Sequence, residues 1–231
     1  MYYIIALVAL IAIYICAILL MKRMTNQPLC NALFAATVFI PYVIMVIRVY
    51  LSVGFYDWNF QNALPVANVS PFMFTMVPLI FLLPRRLRKH PQLLVSLLSV
   101  GMFLSTVLAC IYNARIGYKF HFHFLLDYIA HFSLSLWGIY LVRSKQVSLT
   151  RKSCLVSGSI IIASATLMLV LNLIFDTSFF GLSLRGQHNI YNTVLVENSY
   201  LSALLYYLGL TGVLLMGYVF QKILNRNQNQ N

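Results

Sequence analysis

Three observations predict an all-α membrane protein: a single bundle of seven transmembrane helices, N-terminus outside and C-terminus cytoplasmic. First, seven stretches of roughly 20 mostly apolar residues fill the chain, each long enough for the hydrocarbon core of a bilayer. Second, 61% of the residues are hydrophobic and only 9% are charged, which leaves too little polar surface to cover a water-soluble domain. Third, the basic residues are sorted. Lys22, Arg23, Arg85, Arg86, Arg88, Lys89, Arg143, Lys145, Arg151, Lys152, Lys222 and Arg226 follow the first, third, fifth and seventh stretches. The other connections hold only Arg115, Lys119 and Arg185. Lys and Arg resist translocation, so the rich side is read as cytoplasmic.

The first helix is expected over residues 2–21. It has no basic residue before it and Lys22-Arg23 directly after, the reverse of a signal peptide's polarity, so it is read as a retained span. The second, 32–53, carries Pro41. The third, 66–83, carries Pro71 and Pro78, and each proline removes a backbone donor and predicts a kink. Pro84 and Pro91 bracket an Arg-Arg-Leu-Arg-Lys-His run, which is expected to be a cytoplasmic turn before the fourth helix, 92–112. The fifth helix, 124–142, enters from outside. The sixth, 154–175, and the seventh, 199–221, carry small residues suited to close helix packing. The connection over 176–198 is aromatic and polar, too long for a simple link, and is expected to act as a lid. One membrane domain thus covers 1–224, and the Asn/Gln-rich tail 225–231 is expected to be disordered.

The net charge of +12 sits at membrane boundaries, where each basic side chain gains about 1 kcal/mol against anionic headgroups. It is no nucleic-acid footprint. Cys16, Cys30, Cys110 and Cys154 fit neither a disulfide framework nor a zinc spacing, and are expected to act as small buried hydrophobes.

Polar residues inside the spans need a reason. The four acids, Asp57, Asp127, Asp176 and Glu197, all fall outside or in the outer half of the membrane. On the fifth helix His123, Asp127, His131 and Ser135 share one face by their four-residue spacing, and on the sixth Ser164, Asn172 and Asp176 do the same. Arg48, Asn68, Ser70 and Asn113 add polar groups near the outer ends of helices two, three and four. Ionisable groups facing acyl chains are costly, so an outward-opening polar pocket bounded by helices two, three, five and six is expected. Duller readings stand beside it: Arg48 snorkelling, Asp127 and Asp176 as solvated helix ends, His131 bonded to a neighbouring helix. No cofactor or metal is expected. His123, Asp127 and His131 spread over about 12 Å of helix, too far to meet one ion.

Two segments carry a family likeness: Leu64-Pro65-Val66-Ala67-Asn68-Val69-Ser70-Pro71, and Asp127-Tyr128-Ile129-Ala130-His131 followed by an apolar run to Gly138-Ile139-Tyr140-Leu141. With these the chain resembles the YwaF-type bacterial integral membrane proteins, related to animal seven-helix acyltransferases that act on ether phospholipids. The resemblance implies a bacterial cytoplasmic membrane, a nucleophilic Cys on helix three and a partner His on helix five. His131 matches the His, but Ala67 stands where the Cys is expected. Ser70 is one turn further on.

The functional expectation is therefore a pocket for a lipid headgroup or small amphiphile, lined by Arg48, Asn68, Asn113, Asp127, His131, Asn172 and Asp176. In it, the family's covalent chemistry is absent. Membrane lipids and that amphiphile are the expected partners. Two alternatives are kept: a lipid acyltransferase with His131 as base and Ser70 or the acceptor hydroxyl as nucleophile, and a proton-coupled transporter using Asp127 and His131 as a relay.

Overall fold

The computed structural model describes residues 2–51, 69–79, 85–117, 121–177, 179–182, 184 and 198–226. Helices α1 (Tyr2–Leu20), α2 (Gln27–Tyr50), α3 (Val69–Leu79), α4 (Arg85–Arg115), α5 (Phe122–Arg143), α6 (Arg151–Phe175) and α7 (Ser199–Arg226) are joined by short turns where the connections are described. Among the described residues, six helices are long and apolar enough to cross a membrane, and α3 is a shorter apolar helix. An apolar backbone in lipid must satisfy its own N–H and C=O groups, which the helix does. The chain is an all-α, multi-pass membrane protein.

Local chemistry moves several boundaries from their predicted places. Asn26 accepts a hydrogen bond from the Leu29 N–H at 3.2 Å, and Pro28 sits in the first turn, so α2 starts at Gln27, ahead of the predicted residue 32. Thr150 and Ser153 form a reciprocal capping box that starts α6 at Arg151. The run from Arg85 to His90, expected as a turn, is instead the opening of α4, with Pro91 inside the helix. Arg, Leu and Lys are good helix formers. Pro91 frees only the carbonyl of Leu87, an exposed residue whose backbone water or headgroups can satisfy. Asn225 and Arg226, assigned to the tail, continue α7. Propagating a formed helix by one turn needs no new nucleus, and Arg226 favours its C-terminal end. Residues 227–231 lie outside the described part.

α4 and α5 form the core pair. α5 packs against α1, α2, α3, α4 and α7, and α4 also meets α6. Along α5 nearly every side chain from Ala130 to Val142 is buried, whereas α1 turns Ile4, Val8, Ile13 and Leu19 outward, as a lipid-facing helix does. Two glycines let neighbouring backbone come close. A Cβ on Gly138 would lie 2.8 Å from the Val95 carbonyl oxygen, and one on Gly217 would run into the backbone of Leu97. Cys30 and Cys110 are buried as expected of small hydrophobes, but Cys16 is exposed on α1, because that helix has few neighbours to bury it.

Hydrogen bonds collect the helix ends. Arg143 donates to the Ile18 carbonyl at 2.9 Å, Gln27 to the Ser144 carbonyl at 3.2 Å, Asn31 to Gln146 at 2.6 Å and Ser157 to the His90 carbonyl at 3.3 Å. These contacts bring together the C-terminal ends of α1 and α5 and the N-terminal ends of α2, α4 and α6. This end carries Arg23, Lys89, Arg143, Lys145, Arg151 and Lys152, and is called the basic end below. Arg48 and Arg115 lie toward the other end, near the termini of α2 and α4.

Candidate functional site

The candidate site lies where α2, α3 and α5 meet, in the half of the bundle away from the basic end. His131 is only 8% exposed, and its ring stands edge-on to Phe74 of α3 with centroids 4.8 Å apart. Phe74 in turn packs against Tyr42 of α2. Phe74, itself backed by Tyr42, therefore helps to fix the plane of the imidazole.

Hydrogen bonds fix its tautomer. Nδ1 of His131 lies 2.9 Å from the backbone oxygen of Asp127, one turn earlier, and 3.3 Å from that residue's carboxylate. A carbonyl oxygen only accepts, so Nδ1 carries the hydrogen and the neutral ring offers its lone pair at Nε2. Nε2 is 2.9 Å from Oγ of Ser70, which donates to it. Ser70 is half-buried on the second described residue of α3. Hydroxyl, imidazole and carboxylate thus form one chain, with the hydroxyl proton already directed at a base.

The other predicted residues divide. Arg48 places its guanidinium 5.5 Å from the centre of the Phe122 ring at the start of α5, a cation–π contact, and its Nε is buried with no hydrogen-bond partner among the described residues. His123 is buried one turn before Asp127 and within electrostatic reach of both Asp127 and Arg48. From Phe122 to His131 the helix rises about 13 Å, so Arg48 and Ser70 mark the two ends of a long site.

Asn113, Asn172 and Asp176 are held elsewhere. Asn113 donates to the Tyr128 hydroxyl at 2.8 Å, joining α4 to α5. The Asn172 amide is fully engaged in the turn that ends α6. It donates to the carbonyls of Phe179 at 2.9 Å and Leu182 at 2.5 Å, and accepts from Thr177 Oγ1 at 2.8 Å and the Phe179 N–H at 2.7 Å. Asp176 is the exposed C-cap of α6 in the left-handed region, with φ of 52°. α6 therefore contributes a folded turn, not a wall of the site, and that turn reaches α3 through Phe180, which stacks edge-on with Phe72. Asn68, Ala67 and most of the expected lid, including Arg185 and His188, lie outside the described residues.

Sequence reasoning missed a second polar system, deeper in the bundle. Tyr14 of α1 and Ser135 of α5 share a hydrogen bond of 2.6 Å; Ser135 donates to the Ser99 carbonyl of α4 at 2.6 Å; Gln221 of α7 donates to Ser99 Oγ at 3.0 Å. All four residues are buried. This network joins four helices through buried polar groups, and its roles are structural. Among the described residues no group of three His, Cys, Asp or Glu side chains could hold a metal.

No protein-family model, no curated protein and no solved structure matches this chain.

Proposed function

We propose that the chain is an intramembrane acyl-transfer enzyme acting on membrane lipids, with Ser70 as nucleophile, His131 as general base and Asp127 as the group that orients and supports the imidazole. The observation that carries this reading is the 2.9 Å bond from Ser70 Oγ to a His131 nitrogen that the Asp127 contact leaves unprotonated. As Oγ attacks an ester carbonyl, its proton passes to Nε2, and the Asp127 carboxylate at 3.3 Å stabilises the imidazolium. The imidazolium then protonates the departing alcohol, leaving an acyl group on Ser70. An acceptor hydroxyl, deprotonated by Nε2, releases that acyl group and restores the serine. Ser70 takes the part that Ala67 cannot, which is in keeping with the resemblance to YwaF-type proteins and acyltransferases.

The test is covalent labelling of the protein in native membranes with a lipophilic fluorophosphonate, followed by peptide mass spectrometry. Label on Ser70, lost in Ser70→Ala and His131→Gln, is the expected result. An unlabelled Ser70 in folded protein, with the lipid acyl profile unchanged by either variant, removes the catalytic reading.

A second reading, amphiphile binding without turnover, is favoured by Arg48. A buried guanidinium nitrogen without an acceptor among the described residues suits an anionic headgroup at the Arg48 end of the site. Recovery of co-purifying lipid by native mass spectrometry, lost in Arg48→Gln but kept in Ser70→Ala, separates binding from catalysis.

A further inference from the structure

At the basic end, a cavity of about 280 Å³ opens between the start of α4, the α5–α6 connection and the first turn of α6. Lys89, His90, Lys145, Gln146, Ser148 and Ser153 line it. Among the described residues no carboxylate compensates its charge. The chain has only four acidic residues, and the two within the described part, Asp127 and Asp176, belong to the other half of the bundle. Among the described residues neither Lys89 nor Lys145 meets a carboxylate, since the one ion pair there is Asp127 with His131.

The cavity is also held in shape. Lys145 sits at φ of 56°, a left-handed conformation that a side-chain-bearing residue adopts only at a cost. Around it Ser144 Oγ accepts from Gln146 at 2.8 Å, Gln146 accepts from Asn31 at 2.6 Å, and Ser153 donates to the Ser148 carbonyl at 3.0 Å. Three side-chain ties thus hold the turn that carries Lys145, whose exposed side chain stands on the rim of the hollow. The first turn of α6 adds the positive end of a helix dipole.

We infer that this cavity is a binding site for a phosphate monoester, held by Lys89 and Lys145 with His90 and the Ser148 hydroxyl as further hydrogen-bond groups. Two lysine charges on one cavity match a dianion better than the single charge of a phosphodiester. The ligand reaches the site either as the headgroup of a lipid such as phosphatidic acid, because the cavity lies at a membrane boundary, or as a free phosphate compound. The site is remote from Ser70 and does not depend on the acyl-transfer reading.

The experiment measures thermal unfolding of the full chain in two arms. In zwitterionic detergent, inorganic phosphate is titrated. In nanodiscs, phosphatidylcholine is compared with phosphatidylcholine containing phosphatidic acid or, as the diester control, phosphatidylglycerol. Stabilisation by phosphatidic acid but not inorganic phosphate assigns a lipid headgroup, and stabilisation by both assigns the free anion chemistry. In either case Lys145→Gln and Lys89→Gln should each weaken the response about tenfold, the effect of losing one charge-assisted contact. Lys222→Gln, on α7 and away from the cavity, should leave it unchanged. No response in either arm, an equal response to phosphatidylglycerol, or an equal loss in Lys222→Gln overturns the site.

Discussion

Ser70 Oγ and His131 Nε2 lie 2.9 Å apart, on two helices, though sixty-one positions separate the two residues in the chain. Asp127 supports that contact from the far side of the ring, with its backbone oxygen and carboxylate both near Nδ1. Rotating the Asp127 carboxylate away would leave Nδ1 on the backbone oxygen alone and weaken the support for a charged ring. Asp127→Asn should therefore slow fluorophosphonate labelling of Ser70 by at least about tenfold, with stability changed by less than about 1 kcal/mol. Labelling rate against time in solubilised protein measures it. An unchanged rate would leave Asp127 with no part in activating the serine.

Gly217 faces the backbone of Leu97, which cannot move aside as a side-chain tip would. Gly217→Ala should push α7 off α4 and cost roughly 1–3 kcal/mol, the range for overpacking. Gly212, with open space around it, serves as the comparison: Gly212→Ala should be neutral or slightly stabilising. Unfolding midpoints in mixed detergent and SDS report both.

The buried network predicts unequal costs for its members. Tyr14→Phe removes one bond, but Ser135 still donates to the Ser99 carbonyl. The loss should be about 0.6 kcal/mol, the average for hydrogen bonds between membrane helices. Gln221→Leu takes a donor from Ser99 Oγ but leaves that hydroxyl bonded to the Ser96 carbonyl, so it should cost little more than its change in packing. Ser99→Val is different. It removes the acceptor of Gln221 and crowds Gly138, whose Cβ position lies 2.8 Å from the Ser99 Cβ, and should be the most damaging of the three. A double-mutant cycle between Tyr14 and Ser135 isolates the shared bond.

What could be read from the sequence was depth, and what could not was partnership. The apolar lengths locate the spans, and the sorted lysines and arginines locate the ends that α1, α2, α4, α5 and α6 share. Ser70 and His131 could be placed at similar depth because each lies a countable number of residues from a helix end. Asn172 shows the limit of that arithmetic. Its position on a polar face matched Asp176 and suggested a pocket wall, but the amide is drawn instead to a turn formed by Thr177, Phe179 and Leu182. Periodicity reports which face a residue occupies, not which acceptor is nearer. Tyr14, Ser99 and Gln221 were silent, and Ser135 was placed on a face but given no partner, for the same reason: hydroxyls and amides in an apolar run carry no mark of the helix they will meet. The α4 boundary was misplaced because proline was read as a stop, whereas a proline near a solvated helix end leaves only one exposed carbonyl to satisfy.

Asn172 itself gives a prediction. Its four hydrogen bonds end α6 and hold Phe180 against Phe72, so Asn172→Ala should fray the end of the helix and cost about 1–3 kcal/mol. Asn172→Asp keeps the two accepting bonds but turns the donating side into an oxygen facing two carbonyls, and should be no better. Hydrogen exchange over residues 173–182 measures the effect. If protection there is unaltered in Asn172→Ala, the turn is held by Phe180 packing and not by the amide.

Orientation decides which leaflet supplies the substrate, and it can be measured on two exposed turn residues. Ile116 follows α4 at one end of the bundle, and Ser148 lies between α5 and α6 at the basic end. In a chain with its four cysteines replaced by alanine, Ile116→Cys should react with a membrane-impermeant maleimide in intact cells. Ser148→Cys should react only after permeabilisation, because the positive-inside rule predicts a cytoplasmic basic end. That pattern places Ser70 and His131 in the outer half of the bilayer, with Arg48 nearer the external headgroups. The opposite pattern would turn the same hydrogen-bonded chain toward cytoplasmic-leaflet lipids and put the cavity of Lys89 and Lys145 outside the cell, where phosphatidic acid is not expected to reach it.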